Sequence, residues 1–475
     1  MTEPTVGLAL IVRDEEASLP TLLASVDGAF DQVVLCDTGS RDRTIAVFEE
    51  WASDQSLKLG SKVVTFEWTD DFAAARNFAD SHLVTDWTSW ADADDQLRGA
   101  ENLRALAAEA PDELLGFVAN YQYAHDQHGN VLCSLKRERL VRRGASEWGG
   151  RVHEAQLVRG QMSEVGSDVV EWVHGKQPDE GKSNTRNLRI LRKWAKDEPT
   201  NPRVLAYLGT EEFTRGKPKR ALPYFRRYLK LKTGWDEERA QVHRKLAICL
   251  GTLGEHRKAI ATALEAIDLM PAWPDSYLTL AEAYHLEGEF AKSAEWAREV
   301  LRRGAPNTLL IINPLDYSFQ PRLLLASALG GLGRVDEAIE MAEEALAIIP
   351  DHPPLREGYA DWIGQRKREA TARTWVAAAQ QLVSHDEQLK ALALLEDTVP
   401  YFARDHAMVV AARSELRERL AGLLEPDAYA DHYRTGGSKP EDFVPDDRVE
   451  PICNALPRCR FLLEGLCEQL GMAPA

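Results

Sequence analysis

The sequence predicts an α/β domain with a mostly parallel central sheet, followed by an all-α helical solenoid. Three observations carry that expectation. Residues 5–100 alternate short apolar runs with helical stretches, the pattern of a parallel sheet covered by helices. From about residue 183 a helical period takes over. Within that second part a two-helix motif recurs around a small residue. A chain of 475 residues is too long for one core, so two or three domains are expected.

The elements follow in order. VGLALIV at 6–12 reads as a strand buried on both faces, and EEASLPTLLASV as an amphipathic helix. QVVLCD and DRTIAVFEEWA form the second strand and helix, and KVVTFEW and FAAARNFADSHL the third. WTSWADAD is the fourth strand. LLGFVANYQYAHD and VLCSLKRERLVRR are strand-like and flank GNV, which suits a hairpin turn. WGGRVHEAQLV and DVVEWVHGK read as two further short strands, each with a histidine. In the helical part, Ala221, Ala259, Ser293 and Ala338 hold equivalent places in four copies. Ala259 and Ser293 lie 34 residues apart, and the flanking spacings of 38 and 45 imply insertions, the longer around NTLLIINPLDYSF. The expected domains are 1–182 for the α/β part, 183–353 for the solenoid, 354–424 for a helical cap or continuation, and 425–475 for a tail ending in a short helix.

Composition narrows the function. Net charge is −18, which disfavours non-specific binding to nucleic acid or an anionic membrane. No apolar run approaches the roughly 20 residues of a membrane span. VGLALIV is too short for a secretory signal, so a cytoplasmic protein is expected. The six cysteines contain no CxxC pair, so free thiols are expected and a zinc site is not.

The candidate chemistry lies at the end of the fourth strand. Asp92, Asp94 and Asp95 crowd into four positions, at the carboxyl edge where α/β sheets bind ligands. A turn lets such carboxylates converge, and a hard cation, Mn²⁺ or Mg²⁺, then relieves their repulsion and takes further ligands from substrate phosphates. A DxD pair alone is a weak signal, since acidic turns are common.

The order of motifs strengthens it. LALIVRDEEASLPTLLASV, VVLCDTGSRDRTIAVFEEW, FEWTDDFAAARNFA and WTSWADADD resemble, in sequence, the successive segments of family 2 glycosyltransferases. The wider layout is similar to bacterial and phage proteins in which this GT-A, nucleotide-sugar-binding domain precedes tetratricopeptide repeats, with RVHE and HxG segments after the sheet. One departure is Asp95, where the family often has glutamate. The resemblance implies that Asp92 and Asp94 hold the metal and the donor's ribose and diphosphate. It implies that Asp37 contacts the nucleotide and that Arg13 and Glu15 open the donor pocket. It places Arg76 near the donor phosphates, with Asn77 less certain.

Alternatives stay open beside these roles. Asp37 also suits an Asx turn, Glu15 a helix N-terminal carboxylate, and Asp95 either a supporting residue or a helix N-cap. His153 suits a metal ligand. Glu154 is the candidate catalytic base, with Asp95 as its competitor. His174 reads either as a metal or phosphate ligand or as a satisfied strand histidine. Trp148 and Trp172 suit either sugar stacking or core packing.

The resulting expectation is a metal-dependent inverting glycosyltransferase. A UDP-sugar is the expected donor, and a protein held with help of the repeats is the expected acceptor. A homodimer is compatible with the repeats but not required. The alternatives are a tetratricopeptide scaffold with a degenerate catalytic domain and a nucleotidyltransferase. The latter ranks last, because IVRDEEASLP has no glycine for a phosphate loop.

Overall fold

The computed structural model describes residues 3–175, 182–384 and 388–421. The expected tail at 425–475, with Cys453, Cys459 and Cys467, lies outside them. The described part divides into two compact units, one of residues 1–333 and 341–352, the other of 334–340 and the residues from 353 onward.

The first unit opens with the alternation expected from the sequence. The elements are β1 (Val6–Val12), α1 (Leu19–Ser25), β2 (Gln32–Asp37), α2 (Thr44–Ser53), β3 (Ser61–Thr65), α3 (Phe72–Asp80) and β4 (Trp87–Asp92). Then come β5 (Asp95–Arg98), α4 (Leu103–Glu109), the long hairpin β6 (Leu114–His125) and β7 (Val131–Arg142), β8 (Ser146–Gly149), β9 (Ala155–Val158), β10 (Gln161–Glu164) and β11 (Glu171–His174). Among the described residues the main sheet has nine strands, ordered β3-β2-β1-β4-β7-β6-β11-β5, with β10 also on β6. β1 pairs in parallel with β2 and β4, so both strand ends that carry Arg13 and Asp92 open on the same edge. Val6, Leu8, Leu10, Val33 and Leu35 are fully buried, as runs covered on both faces must be.

Two expectations need correction. Asp95 is not a helix cap. It starts β5, which pairs antiparallel with β11, and its side chain is sealed inside. WGGRVHEAQLV is not one strand. Gly150 at φ +96° and His153 at φ +52° break it into β8 and β9, and 150–154 becomes a loop.

Helical elements follow: α5 (Lys182–Asp197), α6 (Pro202–Thr214), α7 (Pro218–Lys230), α8 (Asp236–Thr252), α9 (His256–Leu269), α10 (Pro274–Leu286), α11 (Phe290–Arg303), α12 (Phe319–Gly331) and α13 (Val335–Ile348). Asn201 caps α6 by accepting from the Val204 amide, and Pro202 and Pro274 occupy first-turn positions where no amide proton is needed. The four repeat residues, Ala221, Ala259, Ser293 and Ala338, are all at most 1% exposed. Their small size lets paired helices approach closely. In the second unit, α14 (Pro353–Ser384), α15 (Gln388–Ala393) and α16 (Ala407–Ala421) enclose a core that includes Trp375, Leu394, Leu395 and Leu416.

The repeats hold the main sheet. The insertion between the third and fourth copies pairs with β7, since Ile312 and Ser134 exchange both backbone hydrogen bonds at 2.9 Å. Lys136 Nζ donates to Asn307 Oδ1, and at the hairpin turn Asn130 donates to the Ile348 carbonyl. The extra residues seen as a 45-residue spacing thus meet β7 through a single β-bridge at Ile312.

In the first copy, Gly209 faces the fully buried ring of Phe225, and an added Cβ would lie 2.4 Å from it. Neither ring nor helix has room to move. Gly209→Val is expected to destabilise the first unit by on the order of 2 kcal/mol, read as a lower midpoint in thermal or urea unfolding.

Candidate functional site

The site is built at the carboxyl ends of β1 and β4. After Asp92 the chain turns through Ala93 and Asp94 and re-enters the sheet as β5. The register of β5 on β11 sets Asp95 directly opposite His174. That pairing brings together side chains 79 residues apart. His174 Nδ1 lies 3.3 Å from Asp95 Oδ1 and 3.5 Å from Asp94 Oδ1. Ligand atoms of Asp94, Asp95 and His174 all fall within 4.8 Å of one another. Gly175 follows, with its amide 2.6 Å from the Asp94 carbonyl oxygen. A Cβ there would stand 2.7 Å from that oxygen, so the turn needs glycine.

Asp95 organises the turn. One oxygen accepts from the Asp92 amide at 2.9 Å, and the other from Tyr121 Oη at 2.6 Å. Asp94 is left facing the cleft. Burial and the nearby Asp92, Asp95 and Glu15 push its carboxyl up to about 6, against the pull of His174. For His174 burial opposes the charged form, but the hydrogen bond to Asp95 and the charge of Asp94 move its pKa up. Tyr123, two residues from Tyr121 on the same face of β6, stacks on the His174 ring at 4.6 Å.

Arg76 ties the second half of the site together. Asp71 caps α3 by accepting from the Ala74 amide, which starts the helix that carries Arg76 inward. Arg76 Nε donates to Glu154 Oε1 and its Nη2 to Asp92 Oδ1, both at 2.7 Å. Its side chain is only 6% exposed, between the rings of Trp90 and Trp148. Burial would raise the Asp92 pKa, but Arg76 outweighs it and holds that carboxylate ionised well below its usual range.

Beneath lies a residue the sequence did not single out. Arg139, 1% exposed, stacks against Trp90, Tyr121 and Trp172, and its Nη1 donates to the Trp90 carbonyl. It stands 4.0 Å from Asp95 Oδ2, and burial pushes its pKa down to about 10. The period-2 alternation in KRERLVRR put Arg137 and Arg139 on one face but gave no sign that the face was covered. Tyr121 and Tyr123 carried the same kind of signal.

The sequence candidates fall into three groups. Asp92, Asp94, Asp95, Glu154 and Arg76 meet at the cleft, and the charge of Glu15 reaches Asp94. Asp37 accepts from the Gly39 and Ser40 amides, the Asx-turn geometry, while Arg13 is half exposed at the same edge. His153 goes elsewhere. Its Nε2 faces Glu211 at 3.1 Å and its ring stacks on Tyr207 at 4.4 Å, both in α6. The left-handed backbone at His153 sends it and Glu154 to opposite sides. His174 takes the place beside the acidic turn that was expected of His153. Arg76 is expected near phosphates, yet two carboxylates and two indoles already enclose it. Trp148 and Trp172 are core residues, 3% and 0% exposed. Asn77 exchanges two hydrogen bonds with the backbone of Trp148.

Fold and site together define an α/β domain with an acidic cluster at the carboxyl edge of its sheet, joined to helical repeats. Comparison with known proteins shows what its parts are similar to. Residues 8–132 match the model of glycosyl transferase family 2, and residues 320–352 match a tetratricopeptide repeat. A TPR repeat-containing protein of Synechococcus elongatus is 26% identical over 317 residues, 62% of this chain and 75% of that protein. The prophage-derived glycosyltransferase SunS of Bacillus subtilis is 25% identical over 255 residues, 52% of this chain and 58% of that protein. An uncharacterized glycosyltransferase of Rickettsia felis is 32% identical over 88 residues, 18% of this chain and 28% of that protein. Residues 8–132 are thus similar to a family 2 glycosyltransferase domain, and a tetratricopeptide-repeat match follows at 320–352; the chain spans little more than half the length of SunS. No helix among the described residues is long and apolar enough to cross a membrane.

Two outcomes follow from the charges. Removing Arg76 leaves Asp92 and Glu154 without their shared cation, so Arg76→Met is expected to cost about 3–5 kcal/mol of stability, measured by chemical unfolding. Asp94 has a folded pKa raised above its unfolded value, so its ionisation destabilises the metal-free fold as pH rises through about 6. Asp94→Asn is therefore expected to raise the metal-free melting temperature at pH 7.5, by roughly 1–3 kcal/mol of stability. The gain should shrink as pH falls through 6 and vanish near 4, in a series of melts with chelator present.

Proposed function

We propose that the protein is a metal-dependent, inverting glycosyltransferase that moves a sugar from a nucleotide-sugar, with a UDP-sugar as the expected donor, to a protein acceptor. The observation that carries this reading is the cluster of Asp94, Asp95 and His174 at the sheet's carboxyl edge. Its donor set of carboxylate oxygens and an imidazole suits Mn²⁺ or Mg²⁺. Burial, together with the charges of Asp92, Asp95 and Glu15, raises the Asp94 pKa against the pull of His174, and a divalent ion would relieve that repulsion. Asp94 and His174 are the ligands we assign, with the Asp92 oxygen not bonded to Arg76. A bound divalent ion would neutralise charge building on the leaving diphosphate.

The chain's own residues supply the rest. Asp95 is a positioning residue, since both its oxygens are committed and its side chain is fully buried. Arg76 fixes Asp92 and Glu154 relative to one another. Asp37, Arg13 and Glu15 lie along the β1 and β2 ends where the nucleotide would enter. Glu154, 12% exposed in the cleft, is the assigned base. It accepts the acceptor's proton as the acceptor attacks the anomeric carbon opposite the leaving nucleotide, which inverts the configuration. The tetratricopeptide repeats support a protein acceptor, because stacked helix pairs present grooves suited to peptides. The division at about 182 separates catalytic domain from repeats in this reading.

Purified protein is expected to release nucleotide slowly from one of a panel of UDP-, GDP- and TDP-sugars with Mn²⁺ or Mg²⁺. EDTA should abolish release, and Asp94→Ala should lower it at least about 100-fold, the scale of losing a charge-stabilising group at a reacting phosphate. Release undiminished by EDTA and by Asp94→Ala would sink the metal assignment. Binding of no nucleotide by calorimetry would move the reading to a scaffold with a degenerate domain.

A further inference from the structure

The helix that leads from the catalytic domain into the repeats carries a groove that the transferase reading leaves unused. α5 is two-faced. Leu188, Ile190, Leu191 and Trp194 are buried against Val152, Val204 and Leu208. A second stripe at helical spacing, Thr185, Arg189, Arg192, Lys193 and Lys196, lines an open groove of about 440 Å³, closed on one side by Arg215 at the end of α6. Five cations therefore face one space in a chain whose net charge is −18.

Only part of that charge is spent locally. Asp70 accepts two hydrogen bonds from Arg189, and the buried Glu212 pairs with Arg192 at 2.9 Å. Lys193, Lys196 and Arg215 form no ion pair with a carboxylate among the described residues. Clustered cations left unpaired repel one another and lower the stability of the empty groove. A bound anion reverses that sign. The row of charge also has a direction. Arg186, in the first turns of α5, stacks over Phe72 and is close enough to Glu154 and Asp92 for their charges to act on it. The cations thus run from the catalytic carboxylates outward along α5.

The geometry points to this groove as a docking site for an acidic peptide segment of the acceptor, lying along α5 with its reacting residue toward Glu154. This deepens the protein-acceptor reading above and rests on it. A peptide is the occupant because the positive surface is short and local. Long polyanions such as nucleic acid or a charged membrane would meet the acidic remainder of the chain.

The test is fluorescence anisotropy on the full chain with a labelled hexaglutamate peptide, with hexaglutamine as the neutral control. Saturable binding of hexaglutamate is expected, weakened more than tenfold between low and high salt. Lys193→Glu/Lys196→Glu should weaken it at least tenfold, and Lys193→Arg/Lys196→Arg should retain it. Both lysines are exposed, so melting temperatures of the variants should match the parent. Equal binding of hexaglutamine, unchanged binding in the charge-reversed variant, or tighter binding of oligothymidylate or of phosphatidylserine vesicles than of hexaglutamate would each overturn the assignment. Donor hydrolysis, read in the same preparations, separates the two readings. If peptide binding fails while hydrolysis persists, the groove assignment alone falls. If the peptide binds while no nucleotide is bound or released, the transferase reading falls and the assignment of the groove to an acceptor falls with it.

Discussion

A guanidinium sealed from water must be neutralised where it lies, because its charge cannot be shed. Arg76 meets that demand with two carboxylates from distant parts of the chain, Asp92 on β4 and Glu154 in the loop between β8 and β9. Each partner is fixed by the need to stay with the cation. α3, β4 and the 150–154 loop are consequently held at one spacing, and the cleft between them has a defined width. The indoles of Trp90 and Trp148 exclude water from the same point, which strengthens both ion pairs. This buried triad does little for stability compared with an apolar core of the same volume. Its value is that it allows only one arrangement of the residues that face the substrate.

Around that fixed point the acidic turn carries charge in a graded way. Asp92 is held ionised by Arg76, Asp95 is locked beneath by a tyrosine, a histidine and a backbone amide, and Asp94 is left carrying the repulsion of the others. Arg139 supports the arrangement from below, within a cage of Trp90, Tyr121 and Trp172. Of the three carboxylates, Asp94 carries a raised pKa, despite the His174 ring 3.5 Å away. That pattern suits a site completed by a cation and a diphosphate rather than by the protein itself.

Much of this was legible in the sequence, and the limits have physical causes. β1, β2 and β4 announce themselves because strands buried on both faces are continuous apolar runs, while β3, at the edge of the sheet, is carried by Val63 and Val64 alone. The repeats announce themselves because Ala221, Ala259, Ser293 and Ala338 sit where helices cross too closely for larger side chains. The acidic turn was visible as local crowding. What stayed hidden depends on pairing across long separations. His153 and His174 both lie on strand-like segments, and only the register of β11 on β5 decides which one meets Asp95. β5 is four residues long and begins with aspartate, so nothing local marks it as a strand. Arg139 reads as one more charge in a basic run, since burial of its face is set by Trp90 and Trp172 from other strands.

The loop at 150–154 joins two parts of the first unit through consecutive residues. Val152 sits in the apolar cluster of α5 and α6, His153 stacks on Tyr207, the His153 carbonyl accepts from Arg203, and Glu154 reaches Arg76. The catalytic domain is therefore not a detachable module. A chimera or truncation cut at the end of the sheet would strip Val152 of its socket and release the backbone that aims Glu154. For a protein engineer or for recombination between genes, an exchangeable part needs at least the α/β domain with α5 and α6, and keeps the contacts of β7 only if it runs on through Ile348.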